Sequence, residues 1–264
     1  MSKKARKKTL LAFYVLLFSF AAVASLLVLR LSEYRNARNE YDGYQEIFIK
    51  EEIPPATSEP SLPKRPEATI PPTAKPYYNS KVAALKKENG DTVGWIDIDG
   101  ADIQYPIVQT ANNEYYMNRT FKKRKNSSGA IFMDCWNSPD FTDFNTVIYG
   151  HNMKDGSMFA GLREYRHQGF LDAHSRIEIT MINKKLRYRI FAAYTSQGEG
   201  GADFRGQTCV TPGQRSDFIK SARKRSDVVS TATVSRDDKL LTLVTCTGGS
   251  HPWFWVVHAV LVAG

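Results

Sequence analysis

Leu240-Leu241-Thr242-Leu243-Val244-Thr245-Cys246-Thr247-Gly248-Gly249 is the stretch whose reading decides the fold. Leu, Thr and Val in near alternation favour a pleated, largely buried strand. The Gly248-Gly249 pair then lets the backbone turn sharply just past the thiol. A cysteine in that place lies at the mouth of a sheet, where a reactive thiolate finds the partial exposure it needs. Taken alone, a cysteine in a strand reads as packing, because cysteine is among the most buried residue types. The rest of the chain has to decide between the two readings.

A second strand is punctuated in the same way. Thr146-Val147-Ile148-Tyr149-Gly150-His151-Asn152-Met153 is apolar in its first half, stops at Gly150 and presents His151 beyond it. Thiol and imidazole together are what acyl transfer through a thioester requires: the thiolate attacks and the imidazolium protonates the leaving amine. Around these two strands the pattern predicts others over 93–98, 103–108, 129–134, 176–182, 185–194 and 255–262, with the pair themselves at 145–149 and 239–245. Helices are expected over 81–88, 157–165 and 217–225, the last capped by Ser216, with a helical turn over 113–118. About eight strands and two or three helices in roughly 190 residues describe a mainly β protein, a largely antiparallel barrel or curled sheet.

The segments before this domain are of other kinds. Residues 1–9 form a basic tail, and residues 10–29 carry no charge over twenty positions, LLAFYVLLFSFAAVASLLVL. At 1.5 Å per residue that run makes about 30 Å of helix, the thickness of a bilayer's hydrocarbon core. Ala22-Val23-Ala24 has the form of a signal-peptide cleavage site, but the run continues through Leu29, longer than a signal core, which favours an uncleaved anchor. The basic tail orients the N-terminus to the cytoplasm and the rest of the chain outside. Residues 30–76 read as a polar stalk, and its second half contains eight prolines, from Pro54 to Pro76, that exclude helix and central strand. The folded domain is expected over 77–264.

Charge and cysteines narrow the function further. Of the net charge of +9, Lys3, Lys4, Arg6, Lys7 and Lys8 supply 5, so 9 − 5 = 4 remain, scattered apart from the 122–125 run KKRK. That leaves no concentrated footprint for nucleic acid. The three cysteines, Cys135, Cys209 and Cys246, include no CxxC pair and no zinc spacing, and a Cys135–Cys209 disulfide stays open.

YGHNM at 149–153 together with TLVTC at 242–246 resembles the sortases, the cysteine transpeptidases of Gram-positive cell surfaces. VGWIDIDG at 93–100, YPIVQ at 105–109, NEYYMNRTF at 113–121 and GAIFMD at 129–134 extend the resemblance to class B. It implies an eight-stranded β-barrel with added helices, with Cys246 as nucleophile and His151 as acid/base. It also implies cleavage of a C-terminal sorting pentapeptide after its Thr. The resulting thioester passes to a cell-wall amine, on a peptidoglycan precursor or a pilin lysine. Asn113 and Met117 match positions bordering the sorting-signal groove, and Val244 and Thr245 precede the nucleophile on its strand. No metal or organic cofactor is implied.

One position departs from that pattern. The family carries an arginine on the strand after the cysteine, and here Phe254 stands in its place, with no Arg or Lys after Lys239. A preorganised donor of that kind is worth roughly 3–4 kcal/mol of transition-state stabilisation. Open replacements are the backbone N–H groups of 247–249, Arg205 from another loop, and His251; a weak or inactive enzyme is the other outcome. Asp134 and Asp143 read as turn or cap residues, with orientation of His151 a lesser reading, and Cys135 reads as packed. His258 reads as a structural, hydrogen-bonded histidine. Trp253, Phe254 and Trp255 read as core or groove wall, or as an aromatic surface for the sorting peptide or a lipid-linked acceptor. The rival functions are a cysteine hydrolase on the same scaffold and a non-catalytic wall-associated protein.

Overall fold

The structure, a computed structural model, describes residues 3–49, 77–197, 202–246 and 253–263. Eight strands close into a barrel: β1 (Thr92–Ile98), β2 (Ile103–Val108), β3 (Ile131–Met133), β4 (Asn145–Tyr149), β5 (Arg176–Thr180), β6 (Lys185–Gln197), β7 (Leu240–Cys246) and β8 (Trp253–Ala263). Their order around the barrel is β1-β2-β3-β4-β7-β8-β6-β5. Pairing is antiparallel except for β2 with β3 and β4 with β7, which run parallel. Among the described residues, closure leaves no strand at an open edge. The expected barrel is therefore the observed one, and its β4–β7 pair joins the two strands that lead to His151 and Cys246.

Two cores explain why β7 carries apolar residues on both faces, at Leu240, Leu241, Leu243 and Val244. Leu241 and Leu243 pack in the main cluster with Ile96, Ile107, Ile131 and Val257. Leu240 and Val244 face outward into a second cluster with Phe191, Phe204, Ile219 and Val256. That outer cluster lies beneath α4 (Ala202–Arg205) and α5 (Pro212–Arg225). A strand buried on both faces reads as a continuous apolar run.

Before the barrel come α1 (Lys3–Ile49) and α2 (Ser80–Glu88), the latter capped by Asn79, whose side chain accepts from Val82 N. α1 corrects the expectation of a stalk beginning at residue 30. It is one helix through Ile49, and Ala37, Tyr41 and Tyr44 are buried in the main barrel cluster. Phe48 stacks on Trp95 with ring centroids 3.9 Å apart and planes 2° from parallel. Positions 37, 41, 44 and 48 fall on one helical stripe, too narrow to stand out among the surrounding charges. The Tyr41 hydroxyl donates to Gly129 O at 2.7 Å and accepts from Phe121 N at 3.2 Å, both buried. The proline-rich stretch of the expected stalk lies outside the described residues.

Smaller expectations change too. Residues 160–166 form 3₁₀ turns, followed by α3 (Gln168–Ala173), in place of one helix over 157–165. α5 begins earlier than expected and is capped by Thr211, not Ser216: Thr211 and Gln214 form a reciprocal capping box with Pro212 in the first turn. The Ser216 hydroxyl instead donates back to Pro212 O inside the helix.

Candidate active site

Parallel pairing of β4 and β7 sends both strands to the same rim of the barrel. Tyr149 pairs with Val244, and Gly150 N donates to Val244 O at 3.1 Å. His151 and Cys246 are each two residues beyond that pair, so they leave neighbouring strands at one level. Cys246 is the last residue of β7, and its backbone pairs with Phe254 on β8. A pocket of about 180 Å³ opens at this rim, lined by Asn113, Met117, His151, Arg205, Val244, Thr245 and Phe254, with Phe132, Tyr149 and Gly150 completing it. Of the residues singled out in the sequence, His151, Asn113, Met117, Val244, Thr245, Phe254 and Arg205 thus border one cavity. The stretch 247–252, with His251, lies outside the described residues.

His151 is held from the side opposite its strand. Its Nε2 lies 2.6 Å from Met117 O in the 3₁₀ turn Tyr115–Asn118. A carbonyl only accepts, so Nε2 carries a proton, and Nδ1 is the ring nitrogen that this contact leaves available. Gly129 makes this approach possible. Its φ of +60° suits glycine, and a Cβ there would meet Tyr116 O at 2.7 Å, Met117 O at 2.9 Å and the His151 ring at 3.0 Å. Asn113 is fixed by accepting from Cys135 N at 2.8 Å. Thr245 is buried, and its hydroxyl has no hydrogen-bond partner among the described residues.

Asp134 does not orient His151. Fully buried, it accepts from the Tyr149 hydroxyl at 2.8 Å and from Trp136 N at 3.0 Å, and Arg205 Nε stands 3.8 Å from it. Arg205 Nε donates to the Tyr149 oxygen at 2.9 Å. Burial, with the Asp134 carboxylate beside it, pushes the Tyr149 phenol well up, so it stays protonated. Asp143 closes a turn by accepting from Asn137 Nδ2 and Ser138 N. Cys135 and Cys209 are free thiols, and burial pushes both up. The disulfide left open by the sequence is not formed.

His258 is structural, as read, and it anchors a buried chain of hydrogen bonds that runs to the pocket. Asn145 Nδ2 donates to Phe204 O at 3.1 Å and to Arg205 O at 2.8 Å, which sets its amide orientation. Its Oδ1 accepts from the Thr242 hydroxyl at 2.7 Å. That hydroxyl has spent its only proton, so its 2.8 Å contact with His258 Nδ1 requires Nδ1–H as donor. Nε2 is then an acceptor for the Tyr194 hydroxyl at 2.9 Å. Burial, and to a lesser extent Arg225, pulls the His258 pKa down to about 3, so the ring is neutral as this arrangement needs. The chain ties β6, β8, β7 and β4 to the backbone of α4. Sequence reading missed it because its members lie far apart along the chain.

Among the described residues no group of His, Cys, Asp and Glu is arranged to hold a metal ion. A closed eight-stranded barrel with a cysteine and a histidine leaving adjacent parallel strands defines a sortase-type fold. Residues 96–262 match the family model described as the Sortase domain, and the chain belongs to the sortase family, which are cysteine transpeptidases. Its relatives and structural neighbours are class B. A sortase B of Listeria monocytogenes is 40% identical over 164 residues, 61% of this chain and 65% of that protein. A sortase B of Staphylococcus aureus is 31% identical over 64% of this chain and 69% of that protein. The Listeria match thus spans a little under two thirds of the relative's length. A Staphylococcus aureus sortase B–substrate complex superposes with a TM-score of 0.71 and 25% identity, over 88% of this chain and 98% of that one. A Bacillus anthracis sortase B complex gives 0.70 and 27%, over 89% and 100%.

Proposed function

We propose that this protein is a membrane-anchored cysteine transpeptidase that cleaves a C-terminal sorting signal and transfers the protein to a cell-wall or pilin amine. The observation that carries the reading is the β4–β7 register, which takes His151 and Cys246 off one rim at the same level beside an opening of about 180 Å³. The Cys246 thiolate attacks the peptide carbonyl after the signal's Thr, and the C=O electron pair moves to oxygen. As that pair returns, the C–N bond breaks and the His151 imidazolium gives its proton to the leaving amine. The acceptor amine then attacks the thioester, neutral His151 takes its proton, and the thiolate leaves. Asn113, Met117, Val244 and Thr245 form the peptide-facing wall. The apolar run in α1 is long enough to cross a bilayer and supports the anchor, with the N-terminus cytoplasmic and the barrel outside.

The test is incubation of the full chain, in detergent micelles, with a pool of pentapeptides carrying Thr at position four, followed by mass spectrometry. The expected result is an acyl adduct on Cys246, absent in Cys246→Ala and His151→Ala. Added oligoglycine or diamine should collect the acyl group, whereas release only to water would make the protein a hydrolase. No adduct from any peptide would sink the proposal.

A further inference from the structure

We infer that Arg205, delivered from α4, is the cation that binds the scissile peptide carbonyl and the oxyanion formed on it; this rests on the transpeptidase reading above. Attack by the thiolate leaves a full negative charge on the carbonyl oxygen, and a water-poor pocket must hold donors already aimed at it. Of the described residues lining the pocket, Arg205 alone carries a permanent positive charge, since His151 gives its proton up in the reaction.

Its placement is built rather than incidental. Its backbone carbonyl is fixed by Asn145, at the end of the chain through Thr242 and His258. The neighbouring Phe204 ring packs against Phe254 at 5.8 Å, and position 254 pairs with Cys246. The guanidinium lies near the Tyr149 ring, 5.9 Å from its centroid, and among the described residues its hydrogen bond to Tyr149 and its approach to Asp134 both run through Nε. A guanidinium has five N–H donors, so anchoring through Nε keeps the plane fixed while the other two nitrogens serve the substrate. Phe254 fills the β8 side of the same pocket with a ring that donates nothing, so charge that would enter from β8 enters from α4 instead.

Removing Arg205 also takes the nearby positive charge from the buried Asp134 carboxylate, so Arg205→Ala is tested alone and in the neutralised background Asp134→Asn. In the full chain with the same peptide pool, the double variant should melt as a folded protein yet form the Cys246 adduct about 10²–10³-fold more slowly, the range for loss of one oxyanion donor. Adding Phe254→Arg should restore at least tenfold of that rate by supplying a guanidinium from β8. A structural loss would not be repaired that way. Acylation within threefold of wild type in the double variant, or a lost rate that Phe254→Arg leaves unchanged, overturns the assignment. If the wild-type chain itself forms no adduct, the functional reading fails first and Arg205 falls with it.

Discussion

Replacing Thr242 by Val tests the buried hydrogen-bond chain with almost no change of shape. Thr242 and His258 are fully buried and Asn145 nearly so. Valine leaves His258 Nδ1–H without an acceptor and Asn145 Oδ1 without its donor. Each stranded buried group costs about 1–3 kcal/mol, and a tautomer switch at His258 offsets part of the sum, so the expected loss is about 2–4 kcal/mol. Thr146, one residue along the paired strand, is the control. It is equally buried, but its hydroxyl has no partner among the described residues. Thr146→Val should therefore be neutral or stabilising by up to about 1 kcal/mol. Urea unfolding of the full chain in micelles, followed by tryptophan fluorescence, reads both midpoints, and an unchanged slope licenses the comparison. A Thr242→Val variant within about 0.5 kcal/mol of wild type, or a Thr146→Val variant as costly as it, would refute the chain as drawn.

The same chain sets a pH dependence. His258 is held near pKa 3 against an ordinary 6.5, so the unfolded chain takes a proton that the fold refuses. The stability this confers is whole above pH 6.5 and drains as pH falls toward 3, by about 1.4 kcal/mol per unit; a His258→Gln variant with an unaltered stability slope between pH 6 and 4 would contradict it. Gly129→Ala should displace the Met117 carbonyl and the His151 ring, slowing Cys246 acylation on the order of 10²-fold while the barrel still folds; wild-type acylation would show that the close approach is dispensable. Tyr41→Phe removes the bonds joining α1 to Gly129 O and Phe121 N and should cost about 1–3 kcal/mol. Limited proteolysis then reads the consequence, and cleavage near Tyr41 no faster than in wild type would mean α1 is held by packing alone.

Strand identity was legible along the chain because pleated, buried strands write a two-residue or continuous apolar pattern, and Gly150 and Gly248-Gly249 punctuate the two strands that carry the candidate residues. β6 was read too short, because its last residues reach the rim and mix polar with apolar side chains. The α1 contact was missed because a stripe of Ala37, Tyr41, Tyr44 and Phe48 gains meaning only when a barrel wall stands opposite it. The α5 cap moved to Thr211 because capping depends on where the chain enters the helix, and Ser216 carries the same chemistry one turn too late.

By itself the sequence determined the barrel, the apolar helix before it, and the two candidates for acyl transfer, since each is written within a short window of neighbouring positions. Tertiary structure decided the rest. It put β4 parallel to β7, so that positions 151 and 246 share a rim. It brought Arg205 to that rim from α4, and threaded Tyr194, His258, Thr242 and Asn145 into one line of donors and acceptors. Those are relations between residues tens of positions apart. They exist only once burial forces each polar group to find a partner in space rather than along the chain.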